Sequence, residues 1–139
     1  HTVTRRQRQM CIRDRVYSTD VCLPISKITE CVNFAEAQTK KLGLRAPMVG
    51  HLGDGNFHVI LPYDPKEEGT YNKIRDFSDL LIEKTLELNG TITGEHGVGL
   101  HKKAYLLKEH GDCIPLMKSI KRSIDQNNIM NPGKIFDLN

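Results

Sequence analysis

Apolar and polar positions alternate over residues 16–24 (VYSTDVCLP), a pattern that predicts a strand ended by Pro24. From Ile28 the period changes. Ile28, Cys31, Val32 and Ala35 fall at i, i+3, i+4 and i+7, with Leu42 two turns further on. That single stripe predicts an amphipathic helix, capped by Ser26 and stopped by Gly43. Two runs, APMVGH (46–51) and NFHVILPY (56–63), predict a strand and its antiparallel return. After the loop DPKEEG, residues 70–90 predict a long helix with Ile74, Phe77, Leu81 and Leu88 inward and Gly90 at its C-terminal end. TIT (91–93) predicts a short strand running into GEHGVG. Two helical segments close the chain. The second starts near Asp112, carries Met117, Ile120 and Ile124 inward, and is broken at NPGK.

The order strand, helix, strand, strand, helix, strand, then helices is α+β: a ferredoxin-like split antiparallel sheet with a C-terminal helical extension. Many functions share this fold, so it assigns none. A chain of 139 residues suits one domain. With 38% hydrophobic and 27% charged residues it reads as soluble and globular. No apolar run approaches the ~20 residues a membrane span needs, and no apolar core of a secretory signal follows the first basic residues. Cys11, Cys22, Cys31 and Cys113 show no CxxC pairing, which predicts reduced thiols in an intracellular protein.

The net charge of +3 comes from one segment. HTVTRRQRQMCIRDR holds five arginines and one aspartate, and the remaining chain has 15 basic and 16 acidic side chains. An arm for RNA or an anionic membrane is one reading of those arginines, and a tail without a role is another. The string RRQRQMCIRDR also resembles translated sequencing adapter, the strongest of the three. Residues 1–15 are therefore expected to be non-native or disordered, and residues 16–139 to form the domain. No nucleic-acid partner is expected.

Chemistry concentrates in GHLGDGNFH, residues 50–58. Asp54-Gly55 is a strong two-residue hairpin turn signal. With the turn there, His51 faces His58, their Cβ atoms ~5 Å apart. Two imidazoles at that spacing reach one divalent metal, which binds nitrogen at ~2.1 Å. A hairpin with two half-exposed histidines fits the spacing equally well. TGEHGVG (93–99) sets a carboxylate and an imidazole at the end of a strand. Glu95 is the candidate third ligand, leaving a coordination position open for substrate. The His96 side chain is expected to point away from the ligands and to suit a general base. A phosphate cradle is a weaker reading, because the spacing matches no phosphate loop and an acid there repels phosphate. His101 and His110 lie on charged helical stretches and read as surface residues. MNPGK (130–134) reads as a helix stop, or as exposed backbone with Lys134 touching a ligand from a neighbouring domain.

The pieces STDVCLPIS, GHLGDGNFHVIL, TGEHGVG and IMNPGK, in this order over residues 16–139, resemble the C-terminal domain of the FAD-linked oxidases of vanillyl-alcohol-oxidase type. The resemblance implies a flavoenzyme oxidising a D-2-hydroxy acid, with FAD held mostly by a preceding domain outside this sequence. It implies that His51, His58 and Glu95 bind a divalent metal, zinc or manganese, that His96 takes the hydroxyl proton, and that Asn131 approaches the flavin. Within the family the chain is most similar to the cytochrome-linked D-lactate branch. The D-2-hydroxyglutarate branch carries an asparagine where this chain has Ile60 and a lysine where it has Ser18, and both departures favour a short apolar acid. Glycolate oxidation stays open, as does a non-redox metal-binding or hydrolase module. The implied partners are the hydroxy acid and an electron acceptor such as cytochrome c, a quinone or an electron-transfer flavoprotein. The implied location is mitochondrial in a eukaryote, otherwise cytoplasmic or peripheral to the inner membrane. The family's substrate-carboxylate arginine lies upstream of the match, so the isolated chain is expected to be inactive.

Overall fold

The computed structural model describes residues 15–138. The reading of residues 1–14 as a non-native or disordered segment lies outside the described residues, and Arg15 already belongs to a strand. Strands β1 (Arg15–Ser18), β2 (Val21–Cys22), β3 (Met48–His51) and β4 (Asn56–Tyr63) form an antiparallel sheet organised around β4. β1 and β2 follow one another along one side of β4, and β3 lies on the other. Helices α1 (Ile28–Leu42) and α2 (Thr70–Glu87) cover one face. Helices α3 (Lys103–His110) and α4 (Ile114–Ile124) form the expected C-terminal extension.

The two predicted stripes build the core. Cys31 and Ala35 of α1, and Ile74, Phe77 and Leu81 of α2, are fully buried against Val21, Phe57, Val59 and Leu61 of the sheet. Each large side chain removed from water stabilises the fold by about 2 kcal/mol. Gly43 ends α1 in the left-handed conformation, its amide reaching the Lys40 and Thr39 carbonyls.

Several local expectations are corrected. The predicted first strand is two strands, interrupted at Thr19–Asp20. The Thr19 hydroxyl, rather than a backbone carbonyl, accepts from the Val59 amide at 2.9 Å. The register is continuous across the break: Ser18 faces Ile60 and Val21 faces Phe57, which sets Asp20 opposite His58. TIT shrinks to one bridge between Thr91 and Cys22. Ser26 does not cap α1, because a 3₁₀ turn at Ile25–Lys27 intervenes. The left-handed residue after α2 is Asn89, not Gly90. Ile120 and Ile124 are 52% and 72% exposed, so the apolar face of α4 does not point inward: no residue of α4 is buried.

The hairpin register also differs from the two-residue turn. A 3₁₀ turn at Leu52–Asp54 and a left-handed Gly55 make a four-residue connection. His51 therefore faces Asn56, and His58 faces Val49. The shift is by two residues, so parity is kept. His51, Asn56, His58 and Ile60 still share the face opposite the helices, with His51 diagonal to His58 rather than across from it.

Candidate functional site

The site lies on that second face, where the 93–98 loop folds over β4. His58 is buried, though imidazole is polar, and both ring nitrogens are occupied. Nδ1 is 3.0 Å from the Thr19 carbonyl oxygen. A carbonyl only accepts, so Nδ1 carries the hydrogen and Nε2 presents its lone pair outward. Nε2 then lies 2.8 Å from Glu95 Oε1. A lone pair and a carboxylate oxygen this close require positive charge between them, either a proton or a cation. Two ligands on one tetrahedral metal keep ~3.4 Å between their donor atoms, given bonds of ~2.1 Å. The observed 2.8 Å is shorter and is a hydrogen-bond separation; imidazole and carboxylate are donors a divalent metal accepts, and holding one would part these two atoms by about 0.6 Å.

His96 does not point away as expected. Its ring stacks on His58 with centroids 4.8 Å apart and planes 12° from parallel, and its Nε2 lies 3.8 Å from Glu95 Oε1. The reason is local. Residues 93–96 form no strand, so neighbouring side chains do not alternate. His51 is exposed and is not part of the ligand-atom cluster formed among the described residues. Among the described residues, the group whose potential ligand atoms lie within 4.8 Å of one another is Asp20, His58 and His96. Asp54 sits in the exposed 3₁₀ turn, as a turn-former should. Asn131 lies in the C-terminal segment with a left-handed backbone, beside a separate cavity of about 210 Å³ lined also by Lys121 and Phe136. His101 and His110 are exposed, as expected.

Asp20 is the residue sequence reasoning missed. Only 1% of it is exposed. Its carboxylate accepts the Thr93 hydroxyl at 2.6 Å and the amides of Gly94 at 2.9 Å, Glu95 at 3.2 Å and His96 at 2.9 Å. Lys102 Nζ lies 3.5 Å from Oδ2 and donates to the carbonyls of Asp20 and Ile92, each at 2.7 Å. Burial alone would raise the Asp20 pKa; the Thr93 hydroxyl, the His96 amide, the Lys102 charge and the Glu95 amide outweigh it and hold the carboxyl well below the usual range. Burial pushes Lys102 down, opposed by Asp20. These donors converge mainly on Oδ2, with Oδ1 taking only a share of the Glu95 amide, so Asp20 supports the loop through one of its two oxygens. The bare backbone of Gly94 completes the packing, since a Cβ there would meet Asn56 Nδ2 at 2.2 Å. Asn56 Oδ1 is buried without a partner among the described residues.

A larger cavity, about 480 Å³, lies between β1, α2 and α3 and is lined by all four tyrosines, Tyr17, Tyr63, Tyr71 and Tyr105. It touches none of His51, His58, Glu95 or His96, so size does not locate the chemistry.

The chain is similar to known proteins over most of its length. Residues 7–135 match the model of the FAD linked oxidases, C-terminal domain. A probable mitochondrial D-lactate dehydrogenase of Danio rerio is 41% identical over 125 residues, 89% of this chain and 25% of that protein. A mitochondrial D-lactate dehydrogenase [cytochrome] of Kluyveromyces lactis is 38% identical over 124 residues, 88% of this chain and 21% of that protein. Glycolate oxidase subunit GlcD of Bacillus subtilis is 38% identical over 120 residues, 84% of this chain and 25% of that protein. The chain thus spans a quarter or less of the length of these relatives. The described cysteines, Cys22, Cys31 and Cys113, are free thiols, and no described helix is long and apolar enough to cross a membrane. The chain belongs to the FAD-linked oxidase family, whose C-terminal domain it matches over most of its length.

Proposed function

We propose that this chain is the substrate- and metal-binding part of a flavin-dependent dehydrogenase that oxidises a short D-2-hydroxy acid, D-lactate to pyruvate. The observation that carries the reading is the convergence of His58, Glu95 and His96, with His58 Nε2 2.8 Å from the Glu95 carboxylate. His51, His58 and Glu95 would hold the metal. A diagonal cross-strand pair has Cβ atoms ~7–8 Å apart, within reach of long side chains, so the observed register still allows His51 and His58 to share an ion. A divalent metal there supplies Lewis acidity toward the substrate's hydroxyl and carboxylate oxygens, and FAD supplies the two-electron acceptor.

The residues of this chain do the rest. Thr19 fixes the His58 tautomer, so that Nε2 faces the site. His96 accepts the proton of the C2 hydroxyl at a ring nitrogen while hydride leaves C2. Stacking on His58 sets the plane of that ring. Ser18 and Ile60 are direct cross-strand partners, and Ile60 lies two residues from His58 on the same face. The two positions that separate this chain from the D-2-hydroxyglutarate branch are thus one patch beside the site. A hydroxyl and a branched alkyl group there offer no charge for a second carboxylate. The electron acceptor is a cytochrome, and the location in a eukaryote is the mitochondrion, as the names of the relatives suggest.

The test expresses the parent protein that contains these residues and compares D-lactate, glycolate and D-2-hydroxyglutarate with an artificial electron acceptor. The account expects bound flavin, D-lactate as the best substrate by kcat/KM, and a loss of at least ~100-fold in kcat for His96→Ala. D-2-hydroxyglutarate as the best substrate, or no bound flavin, overturns it.

A further inference from the structure

We propose that Asp20 is the positioning residue of this site, holding the 93–96 loop in the one shape that brings Glu95 and His96 to His58. The proposal rests on the reading of Glu95 and His96 as site groups and adds a residue at the β1–β2 junction, far away in sequence, that governs both. Three consecutive amides, of Gly94, Glu95 and His96, point at one carboxylate, and the Thr93 hydroxyl joins them. Successive amides turn toward one anion only where the chain curls into a concave nest. That curl displaces residues 93–96 from strand geometry, and it explains why Glu95 and His96, though adjacent, both reach His58. Asp20 stands opposite His58 in the β4 register, with Oδ1 3.7 Å from Nδ1. The strand supplying one member of the site therefore lies beside the group that orders the other two. Lys102 fastens the same point from the N-cap of α3, bonding the carbonyls on either side of the junction, Asp20 and Ile92. Little of this is packing. Every hydrogen bond the carboxylate accepts comes from residues 93–96, and the hydrophobic core lies on the sheet's other face.

The substitution Asp20→Asn keeps the shape and removes the charge and one acceptor oxygen. The experiment uses the full 139-residue chain with two readouts, residue-resolved amide hydrogen exchange and titration with Mn²⁺ alone. The expected result is at least ~30-fold faster exchange at Gly94, Glu95 and His96, unchanged exchange at Phe57 and Val59 in the core, and Mn²⁺ affinity lowered by roughly 10–100-fold, as for other groups that orient ligands. If Asp20→Asn does not fold, Thr93→Val removes a single bond to the same carboxylate and is expected to give the same pattern at smaller amplitude. Amides 94–96 that stay as protected as in the unmodified chain overturn the proposal, as does Mn²⁺ affinity within twofold while exchange in the loop rises. Loop exchange is read whether or not the metal binds. If the unmodified chain and His58→Ala both fail to bind Mn²⁺, the metal reading falls, and the exchange result alone then upholds or overturns the anchoring role of Asp20.

Discussion

Gly50 and Gly53 flank His51 and Leu52 in one loop, and the structure gives them opposite sensitivities. A Cβ on Gly50 would lie 2.5 Å from the Asn56 carbonyl oxygen and 2.5 Å from Phe57 Cα. Carbon atoms in contact settle at about 3.5–4.0 Å, so an alanine there must push β3 and β4 apart by about 1 Å. Both clashing atoms are backbone and cannot rotate away. β4 cannot retreat either, since Phe57 is held from its other side by Val21. Overpacking of this kind costs about 1–3 kcal/mol, and a weakened strand rung adds about 1 kcal/mol. We therefore expect Gly50→Ala to lose about 3 kcal/mol, which for a chain of this size lowers Tm by roughly 10 °C. Gly53 has no atom within 4 Å of its would-be Cβ and is not among the glycines with positive φ. Gly53→Ala should fall within about 0.5 kcal/mol of the unmodified chain. Urea unfolding followed by circular dichroism, compared at constant slope, measures both. Equal midpoints for the two variants would refute the close-approach reasoning and the observed hairpin register with it.

Further predictions concern groups away from the hairpin. Burial pushes the Cys31 thiol up, outweighing the Thr85 hydrogen bond, whereas Cys113 is exposed. Iodoacetamide on the native protein at pH 8 should label Cys113 and spare Cys31, as read by peptide mass spectrometry; equal labelling contradicts the packing of α1 on α2. Asp125 accepts from Lys121 and from the amides of Ile129 and Met130, and the Lys121 hydrogen bond leads the contributions that lower its pKa. A carboxyl lowered by folding contributes stability above its unfolded pKa of ~4 and loses it as pH falls toward the folded value. Protection factors at Ile129 and Met130 should therefore hold steady from pH 7 to about 5 and decline below about 4. Asp125→Ala should abolish that protection at pH 7.

The periodic stripes of α1 and α2 were legible because helical spacing names the buried face directly, and Ile74, Phe77 and Leu81 are buried as expected. The stripe of α4 has the same period, yet Ile120 and Ile124 are exposed. Amphipathicity marks a face that gains from cover without stating that the cover lies in the same segment of chain. The hairpin failed in register, not in pairing. The preference of Asp-Gly for a two-residue turn gave way to a longer 3₁₀ connection, tied to β2 by the Leu23 amide on the Gly55 carbonyl at 2.9 Å. The motif residues His58, Glu95 and His96 were legible by type and are brought together. Asp20 was hidden, because in VYSTDVCLP it reads as one polar position of an alternating strand. Only the register of β1 and β2 on β4 sets it opposite His58, and no local pattern fixes a register between strands more than thirty residues apart.

The central claim is that His51, His58 and Glu95 form a divalent-metal site in this domain. Calorimetric titration of the chain with Mn²⁺, and separately with Zn²⁺, tests it most directly. The account predicts one equivalent bound by the unmodified chain, weaker binding in His51→Ala, no measurable binding in His58→Ala, and a Tm that rises with metal concentration only where metal binds. No binding by the unmodified chain, or unchanged affinity in His58→Ala, would contradict it.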